Sequence, residues 1–430
     1  MILKKVLIIS YFFPPCNLTA SQRAYNWAKY FKEFGYDPIV ITRKWDTTIK
    51  VPSDMGVSSN SSEIEEEVNE QFRVIYMPFK GSLRDRLFIK NPSWNKLRKV
   101  LTLKELYRQN FSIKALPYDN IYDKAEEIIS KENIQKVIIT GNPFACFHFG
   151  YALKKKFSSI NWIADYRDDW TTTELVTREK GIDGELFKLE QKSEKKWVGS
   201  ASLITTVSEH YVNKISCFTG VKGYELINGF GEELEGLLAE NVDKDCFEIT
   251  YNGSLYASQN IEPFLAAVKK VMQHFEGKIH VHLNFPGLLF DKVQAERIQS
   301  QMQGFEGNLT ITPRIPREEV ISMQLKSQLL LMIAHQNLKG VPSSKLYEYI
   351  GLRKPVLLSP NDHDIIESTL LDTELGIICE NEREIETKLI NLIDEFIKRE
   401  ELPIKVNENK RSDYSRKNQV KKLATLLDKL

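Results

Sequence analysis

The chain has 430 residues, of which 42% are hydrophobic and 27% are charged. This length suffices for two or three domains with their own cores, and the composition excludes collagen-like, low-complexity and wholly disordered chains. Because 59 basic side chains nearly balance 58 acidic ones, no overall charge draws the protein to nucleic acid, and we expect no nucleic-acid partner.

The N-terminus and the cysteines indicate a cytoplasmic protein. Lys4 and Lys5 precede an apolar run, as in a signal peptide, but Pro14-Pro15 follows instead of a small-residue cleavage site. The run is therefore predicted to be a buried strand. The cysteines are odd in number, far apart and without a Cys-x-x-Cys pair, which favours free thiols over disulfides or zinc. They are Cys16, Cys146, Cys217, Cys246 and Cys379.

Short apolar, β-branched runs alternate with helical patterns, which is typical of parallel sheets built from βαβ units. Apolar residues at helical spacing between Ala24 and Phe34 predict the first helix, with an N-cap at Ser21 and an end at Gly35. A first doubly wound domain is expected over residues 1–228. Its predicted strands are 6–10, 38–42, 72–77, 137–140, 162–166, 203–207 and 224–227.

A second Rossmann-like domain is expected over residues 229–412, because Asn228-Gly229 and an acidic run interrupt the periodicity and a new series of strands follows. Residues 413–430 are predicted to form a charged helix with one apolar face, which could pack on either domain. The predicted strands are 247–251, 279–285, 309–311, 329–334, 356–358 and 376–378.

Two segments depart from this alternation. Residues 57–70 are polar, acidic and rich in serine, which predicts a mobile loop. Residues 80–114 hold ten Lys or Arg against two acidic residues, a local net charge of +8, interleaved with large apolar side chains. The second segment can lie on an anionic membrane surface or form a solvated basic helical face.

The segment GVPSSKLYEYIGLRKPVLLS, residues 340–359, predicts a helix whose start could bind phosphate. Backbone N–H groups and the positive end of the helix dipole suit an anion. Ser343, Ser344 and Lys345 could add side-chain donors, and Glu348 could accept from vicinal hydroxyls one turn later. The alternative is an ordinary capped surface helix.

Two further strand ends could contact a ligand, since ligands of open α/β sheets bind beyond the carboxyl ends of the strands. In YNGSLY, Gly253 permits a close backbone approach and Ser254 follows it. In ITPRIPREE, the backbone near Arg314 and Ile315 could read a nucleobase edge.

The first domain carries a cluster of ionisable residues at a strand end, in WIADYRDDW. Asp165, Arg167, Asp168 and Asp169 are candidates for an active-site wall, and an ordinary charged surface loop is the alternative. Asn142, in TGNPF, ends the preceding strand, and Arg23 closes the loop after the first strand. The carboxyl ends of these strands are expected to share one sheet edge.

Metal and nucleophile sites are not predicted. His280 and His282 share a strand face without further ligands, and Asp362-His363-Asp364 matches a metal–diphosphate Asp-x-Asp only formally. Walker, Gly-x-Ser-x-Gly and Gly-x-Gly-x-x-Gly motifs are missing from the sequence. We expect no cofactor and no catalytic metal.

Together these motifs resemble the retaining GT-B glycosyltransferases of family 4, in particular the bacterial enzymes that build surface polysaccharides. The resemblance spans nearly the whole chain and rests on the Tyr-Phe-x-Pro-Pro loop, WIADYRDDW, TTVS, ELINGF, YNGSLY and PSSKLYEYIGLRKPVLL. It implies an α/β fold in which two Rossmann-like doubly wound domains face a cleft. It also implies that the helix 413–430 crosses back to the N-terminal domain.

The resemblance implies that the C-terminal domain binds a nucleotide-sugar, expected to be a UDP-sugar. Carried over to this chain, Gly253 and Ser254 would approach the diphosphate, Arg314 and Ile315 the base, Ser344 and Lys345 the phosphates, and Glu348 the ribose. Lys345, Asp168 and Arg167 would form the catalytic set, with Lys345 stabilising the leaving group and the other two orienting the reactants.

The acceptor implied is a glycan or a polyprenyl-linked saccharide at the inner face of a membrane, bound by Arg23, Asn142 and Asp165. Two positions depart from the family pattern. Gly340 stands where a glutamate would pair with Glu348, and the Lys or Arg usual after the Gly-rich turn is missing. A sugar-nucleotide epimerase of the same fold and an inactive glycan-binding subunit are the alternatives.

Overall fold

The computed structural model describes residues 3–91, 93–173, 181–238, 242–335, 338–403 and 405–430. The chain divides into two compact units. Unit 1 holds Met1–Ile227 and Gln419–Leu430, and unit 2 holds Asn228–Asn418. Each unit is built on one sheet, as the alternation of strand and helix patterns predicts.

Unit 1 contains an eight-stranded sheet. Its strands are β1 (Lys4–Ile9), β2 (Tyr36–Arg43), β3 (Glu65–Val68), β4 (Arg73–Met77), β5 (Lys136–Thr140), β6 (Asn161–Tyr166), β7 (Leu203–Thr206) and β8 (Gly223–Glu225). Their order across the sheet is β3-β4-β2-β1-β5-β6-β7-β8. All neighbouring strands pair in parallel except β3 and β4.

The helices of unit 1 that lie among these strands are α1 (Ala20–Tyr30), α2 (Leu83–Lys90), α3 (Asn95–Gln109), α4 (Asn120–Glu132), α5 (Cys146–Lys156), α6 (Gly181–Val198) and α7 (Glu209–Thr219). The first helix begins one residue before the predicted N-cap Ser21, whose hydroxyl instead donates to Leu18 O at 2.7 Å. The prediction of that cap is therefore wrong. Gly35 ends the following 3₁₀ turn at φ +86°, as predicted.

Residues 57–70 include the edge strand β3 where the sequence predicts only a loop. All four side chains of β3 are exposed, so its sequence shows no alternation of apolar and polar residues. The glutamates of β3 pair across the sheet edge instead, with Glu65 bound to Lys44 and Glu66 to Arg73. Cross-strand ion pairs thus replace the apolar face that sequence patterns detect.

Unit 2 contains a six-stranded parallel sheet. Its strands are β9 (Cys246–Thr250), β10 (His280–Phe285), β11 (Leu309–Ile311), β12 (Leu329–Met332), β13 (Val356–Leu358) and β14 (Gly376–Ile378). Its helices are α8 (Glu262–His274), α9 (Lys292–Gln301), α10 (Arg317–Lys326), α11 (Ser344–Gly351), α12 (Ile365–Asp372), α13 (Glu382–Arg399) and α14 (Glu408–Asp413). All six strands lie near the positions that the sequence predicts.

The strand order of unit 2 is β11-β10-β9-β12-β13-β14, the order of a Rossmann sheet. The order reverses beside β9, so that the right-handed crossovers on its two sides place helices on opposite faces. The sheet of unit 1 reverses in the same way between β1 and β5. Ligands bind such sheets at the carboxyl ends of the strands that flank the reversal.

The last helix, α15 (Arg416–Asp428), begins in unit 2 and contributes its later residues to unit 1. Val420, Leu423, Leu426 and Leu427 are buried in the core of unit 1. Near the C-terminus, Asp428 accepts hydrogen bonds from Lys4 Nζ at 2.7 Å and from Tyr36 Oη at 2.9 Å. The apolar face read from the sequence therefore completes the core of unit 1.

Among the described residues, none of the helices combines the length and the apolar character that crossing a bilayer requires.

Replacing Leu423, which is fully buried, with alanine tests this packing of α15. We expect Leu423→Ala to lower the free energy of unfolding by about 2–5 kcal/mol, because it removes buried apolar contacts and leaves a cavity. Lys421→Ala on the exposed face of the same helix should leave stability nearly unchanged. Urea unfolding of both variants provides the measurement. Equal changes in the free energy of unfolding would contradict the packing of α15 in the core.

Candidate functional site

The first two strand-to-helix turns of unit 2 lie against each other. The N–H of Gly253 donates to Pro286 O at 2.9 Å. Gly253 and Gly287 both have left-handed backbones, at φ +78° and +85°, and a Cβ added to Gly287 would lie 3.8 Å from Gly253 Cα. Glycine is required at both turns because other residues rarely adopt this conformation. The two turns thus expose backbone at the carboxyl ends of β9 and β10.

Helix α11 directs a lysine at the first of these turns. Ser343 caps the helix, accepting from the Lys345 N–H at 3.3 Å. The Lys345 ammonium donates to Ser254 O at 3.0 Å and to Tyr251 Oη at 3.2 Å. It also lies 4.7 Å from the centre of the Tyr251 ring. The structure therefore brings Gly253, Ser254 and Lys345 together, whereas Ser344 points to solvent.

Burial lowers the pKa of Lys345 to about 8, an effect that the neighbouring Glu348 opposes. Within the described parts of the chain, no carboxylate forms an ion pair with this ammonium. An anion binding here would supply the missing negative charge and raise the pKa again. The half-buried lysine is thus suited to a phosphate group.

Glu348 lies one turn further along α11, with most of its side chain buried. Its Oε1 accepts from Asn252 Nδ2 and from Gln324 Nε2, both at 2.9 Å, and its Oε2 lies 3.3 Å from Arg317 Nη2. Asn252, Gln324 and Arg317 were not among the predicted site residues. Asn252 precedes Gly253 in YNGSLY and could have been found, but no sequence signal marks the two residues on α10.

Arg314 and Ile315 lie beyond the next strand end, after β11. The guanidinium of Arg314 is exposed and lies 3.8 Å from the centre of the Phe290 ring. Thr312 joins this segment to the β10 turn, because its carbonyl accepts from Leu289 N and its hydroxyl from Gly287 N. A contact of these two residues with a nucleobase stays a prediction.

Gly340 lies in the loop before α11, buried and at φ +69°. Its N–H donates to the carboxylate of Asp364, and Lys339 Nζ donates to Asp362 O and His363 O at 2.9 and 3.1 Å. The loop is thus fixed to the turn that precedes α12. A carboxylate is therefore close to Gly340 although residue 340 has none.

In unit 1, Arg23 and Asp165 form a buried ion pair. The guanidinium donates to Asp165 Oδ1 at 2.7 Å and to Oδ2 at 3.0 Å. Thr205 Oγ1 also donates to Oδ1 at 2.7 Å, and Arg23 Nη1 donates to Ile227 O at 3.2 Å. Because Asp165 is 0% exposed, the pair joins strand ends instead of facing solvent. Direct acceptor contact by either residue stays a prediction.

The loop after β6 carries the exposed part of this cluster. Asp168 is exposed, and Asn142 is exposed on the neighbouring β5 loop. Arg167 Nη2 donates to Asn142 O at 2.9 Å and to Gly141 O at 3.2 Å, which fixes one loop to the other. Burial lowers the pKa of Arg167, and Asp168 and Asp165 oppose this shift. Arg167 therefore positions the loops, and Asp168 and Asn142 remain accessible to a ligand.

A buried carboxylate also holds the loop after β6 in place. Glu194 accepts from Tyr166 Oη at 2.9 Å, from the Thr171 N–H at 3.0 Å and from the Thr171 hydroxyl. Burial raises the pKa of Glu194 to about 7, although these donors oppose the shift. The sequence did not single out Glu194, since one Glu in a charged helix pattern carries no distinguishing signal.

One group of described residues could hold a metal ion, formed by His363, Glu367 and Glu380. His363 precedes α12, Glu367 lies on α12 and Glu380 follows β14. The two carboxylates accept from Asn361 Nδ2 at 2.8 and 2.9 Å. His282, considered above as a possible ligand with His280, has its Nε2 2.8 Å from Thr310 Oγ1. The expectation that catalysis needs no metal stays a prediction.

Comparison with known proteins gives no sequence-level match, neither to a protein-family model nor to a curated protein. Solved structures match over nearly the full length. A sucrose-phosphate synthase from Thermosynechococcus elongatus is 13% identical with a TM-score of 0.62, covering 99% of this chain and 98% of that chain. A glycosyltransferase from Rickettsia africae is also 13% identical, with a TM-score of 0.60 and the same coverage.

A third match is an Anabaena protein solved in complex with UDP and glucose. It is 11% identical with a TM-score of 0.56, and the match covers 99% of this chain and 100% of that chain. At such low identity these similarities establish the fold alone. Together with the two parallel sheets, they show that the chain has the α/β GT-B fold with two Rossmann-like domains.

The buried ion pair predicts a contrast between two aspartates of one loop. We expect Asp165→Asn to destabilise unit 1 by about 3–5 kcal/mol, because it removes the charge that compensates the buried Arg23 guanidinium. The matched variant Asp168→Asn changes an exposed carboxylate and should leave stability unchanged. Urea unfolding distinguishes them, and a stable Asp165→Asn protein would contradict the structural role of the pair.

The raised pKa of Glu194 predicts a pH dependence of stability. The folded protein binds this proton more tightly than the unfolded chain, whose carboxyl has an ordinary pKa near 4.5. Stability is therefore lost as the pH rises through about 7. Between pH 6 and 8 this group should lower the free energy of unfolding by about 1 kcal/mol. Urea unfolding should show this loss in the wild type and not in Glu194→Gln. A free energy of unfolding that depends on pH equally in both proteins would contradict the raised pKa of Glu194.

Proposed function

We propose that the protein is a retaining glycosyltransferase, similar to family 4, that transfers a sugar from a nucleotide-sugar bound by unit 2. The observation that carries this proposal is Lys345, a half-buried ammonium held over an exposed backbone turn at the strand-order reversal of a Rossmann sheet. The GT-B fold supports it, since the matched glycosyltransferase and synthase structures share that fold.

The proposed chemistry needs charge stabilisation more than a nucleophile. The bond between the sugar and the diphosphate breaks, and negative charge grows on the leaving phosphate. Lys345 and the N–H groups at the start of α11 stabilise that charge as fixed donors. The acceptor hydroxyl attacks from the face of the leaving group and passes its proton to a phosphate oxygen, so that the configuration at the sugar is retained.

Glu348 is the proposed ribose ligand. Asn252, Gln324 and Arg317 hold its carboxylate in place, and a carboxylate with about four lone-pair sites can accept a further hydroxyl. Gly253 and Ser254 lie beside the diphosphate in this proposal, and Arg314 and Ile315 beside the base. UDP is the proposed nucleotide, supported by the Anabaena structure solved with UDP and glucose.

Unit 1 is the proposed acceptor-binding unit, and the acceptor is a glycan or a polyprenyl-linked saccharide of surface polysaccharide synthesis. Asp168 and Asn142 are the exposed polar groups that can contact its hydroxyls. Arg167 holds both loops, and the buried pair of Arg23 and Asp165 fixes the strand ends beneath them. The pair acts as a positioning element in this proposal.

Gly340 favours a second candidate, a subunit that binds nucleotide-sugar or glycan without transferring it. The resemblance places a carboxylate at this position, and glycine cannot supply one. Release of UDP from a UDP-sugar in the presence of a sugar acceptor supports transfer. A rearranged nucleotide-sugar formed without acceptor supports an epimerase, and nucleotide binding without any product supports the inactive subunit.

Replacing Lys345 with methionine tests donor binding. We expect UDP at 100 times its dissociation constant to stabilise the wild type by about 2.7 kcal/mol, seen as a rise in Tm. Lys345→Met should weaken UDP binding by about tenfold or more, because a charge-assisted hydrogen bond contributes roughly 1.5–3 kcal/mol. The matched control Lys326→Met, an exposed lysine of unit 2, should bind as the wild type does. Equal affinities in all three proteins would overturn the site.

The pKa of Lys345 predicts how this binding depends on pH. Only the ammonium form attracts the diphosphate, so affinity should fall as the pH rises above about 8, by up to tenfold per pH unit. Isothermal titration between pH 7.5 and 9.5 measures the effect. Lys345→Met should bind UDP weakly, with an affinity that does not change with pH. Any pH dependence that remains in this variant reports titration of the nucleotide itself.

A further inference from the structure

Helix α3 exposes a stripe of large apolar side chains. None of its 15 residues is buried. Leu97, Val100 and Tyr107 recur at helical spacing on one side, and Phe111 follows in register with its ring centre 5.0 Å from that of Tyr107. These four side chains are 46% to 62% exposed. The stripe is thus an apolar face that the chain itself leaves uncovered.

Basic side chains surround this stripe. Of residues 80–114, ten are Lys or Arg and two are acidic. Both acids are paired internally, since Asp85 binds Arg84 at 2.6 Å and Glu105 lies 3.3 Å from the same guanidinium. Two of the other basic residues pair with acids outside the segment, since Lys99 lies 3.7 Å from Asp183 and Lys114 lies 2.6 Å from Asp123. The remaining exposed basic residues, whose positive charge reaches the surface, are Lys80, Arg86, Lys90, Lys96, Lys104 and Arg108.

We infer that helix α3 docks on an anionic lipid bilayer, with the stripe in the interface and the basic residues at the headgroups. Long basic side chains beside apolar ones are suited to such a boundary. A second copy of the chain is disfavoured as the occupant, because pairing two stripes would bring two strongly positive surfaces together. Each basic residue near an anionic surface contributes about 1 kcal/mol to membrane binding at physiological ionic strength.

The end of α3 is joined to the exposed loop after β6 by stacked rings within unit 1. Gln109 O, at the end of α3, lies 3.2 Å from His148 Nδ1. His148 stacks on Trp197 at 4.4 Å, Trp197 on Trp170 at 5.9 Å, and Trp170 on Phe144 at 5.3 Å. Docking would therefore fix the loop that carries Asp168 relative to the lipid surface. A lipid-linked acceptor there is the part of this inference that rests on the proposed function.

Vesicle sedimentation tests the docking independently of catalysis. The full-length protein is spun with vesicles of phosphatidylcholine containing phosphatidylglycerol, and with phosphatidylcholine alone, at low and high salt. We expect binding to the anionic vesicles that weakens as salt is added. Lys96→Glu with Lys104→Glu, and separately Leu97→Ser with Val100→Ser, should each weaken binding by about tenfold or more.

The matched control is Lys292→Glu with Val293→Ser, an adjacent basic and apolar pair exposed on α9 of unit 2; it should bind vesicles as the wild type does. All variants should keep the wild-type Tm and UDP binding, since the changed side chains are exposed. Absence of wild-type binding to anionic vesicles at low salt, or equal binding by the stripe variants, would overturn the docking. Retained UDP binding in that case would leave the proposed function standing.

A sedimentation-velocity measurement without lipid tests whether a second copy of the chain covers the stripe instead. We expect a monomer under conditions in which the protein binds vesicles. A dimer that the Leu97→Ser and Val100→Ser changes dissociate, together with no vesicle binding, would overturn the inference in favour of self-association.

Discussion

Parallel strands place all their carboxyl ends at one edge of a sheet, and the candidate sites of this protein follow from that constraint. In unit 2 the chain leaves β9 and β10 through left-handed glycines, so that their backbones meet without side chains between them. Lys345 can then reach Ser254 O from a helix 91 residues later in the chain. A larger residue at Gly253 would strain the turn, because its backbone lies in the left-handed region at φ +78°.

Burial determines which charged groups of unit 1 can meet a ligand. Asp165 and Asp168 belong to the same short sequence, yet the first is enclosed with Arg23 and the second is exposed. A buried ion pair contributes little net stability, but loss of one partner leaves an uncompensated charge. The pair therefore makes the strand ends intolerant of change, while the loop that follows β6 exposes the carboxylate of Asp168.

Much of the fold could be predicted from the sequence because a buried parallel strand is a short apolar run wherever it occurs. All strands of unit 2 were found in this way, as were those of unit 1 except β3. That strand is fully exposed and held by ion pairs such as Glu66 with Arg73, so no apolar pattern marks it. The prediction of an N-cap at Ser21 was wrong for a related reason, since the Ser21 hydroxyl donates to a carbonyl that only the folded loop brings near it.

The sequence by itself determined the two Rossmann-like sheets, the strand ends that carry Gly253 and Asp168, and the start of the helix that carries Lys345, because local periodicity and turn chemistry encode them. Tertiary structure alone decided that Asn252, Gln324 and Arg317 converge on Glu348, that Asp165 is buried, and that Glu194 anchors the loop after β6. These arrangements depend on contacts between residues that are distant in the chain, and no local pattern records which side chain will meet which.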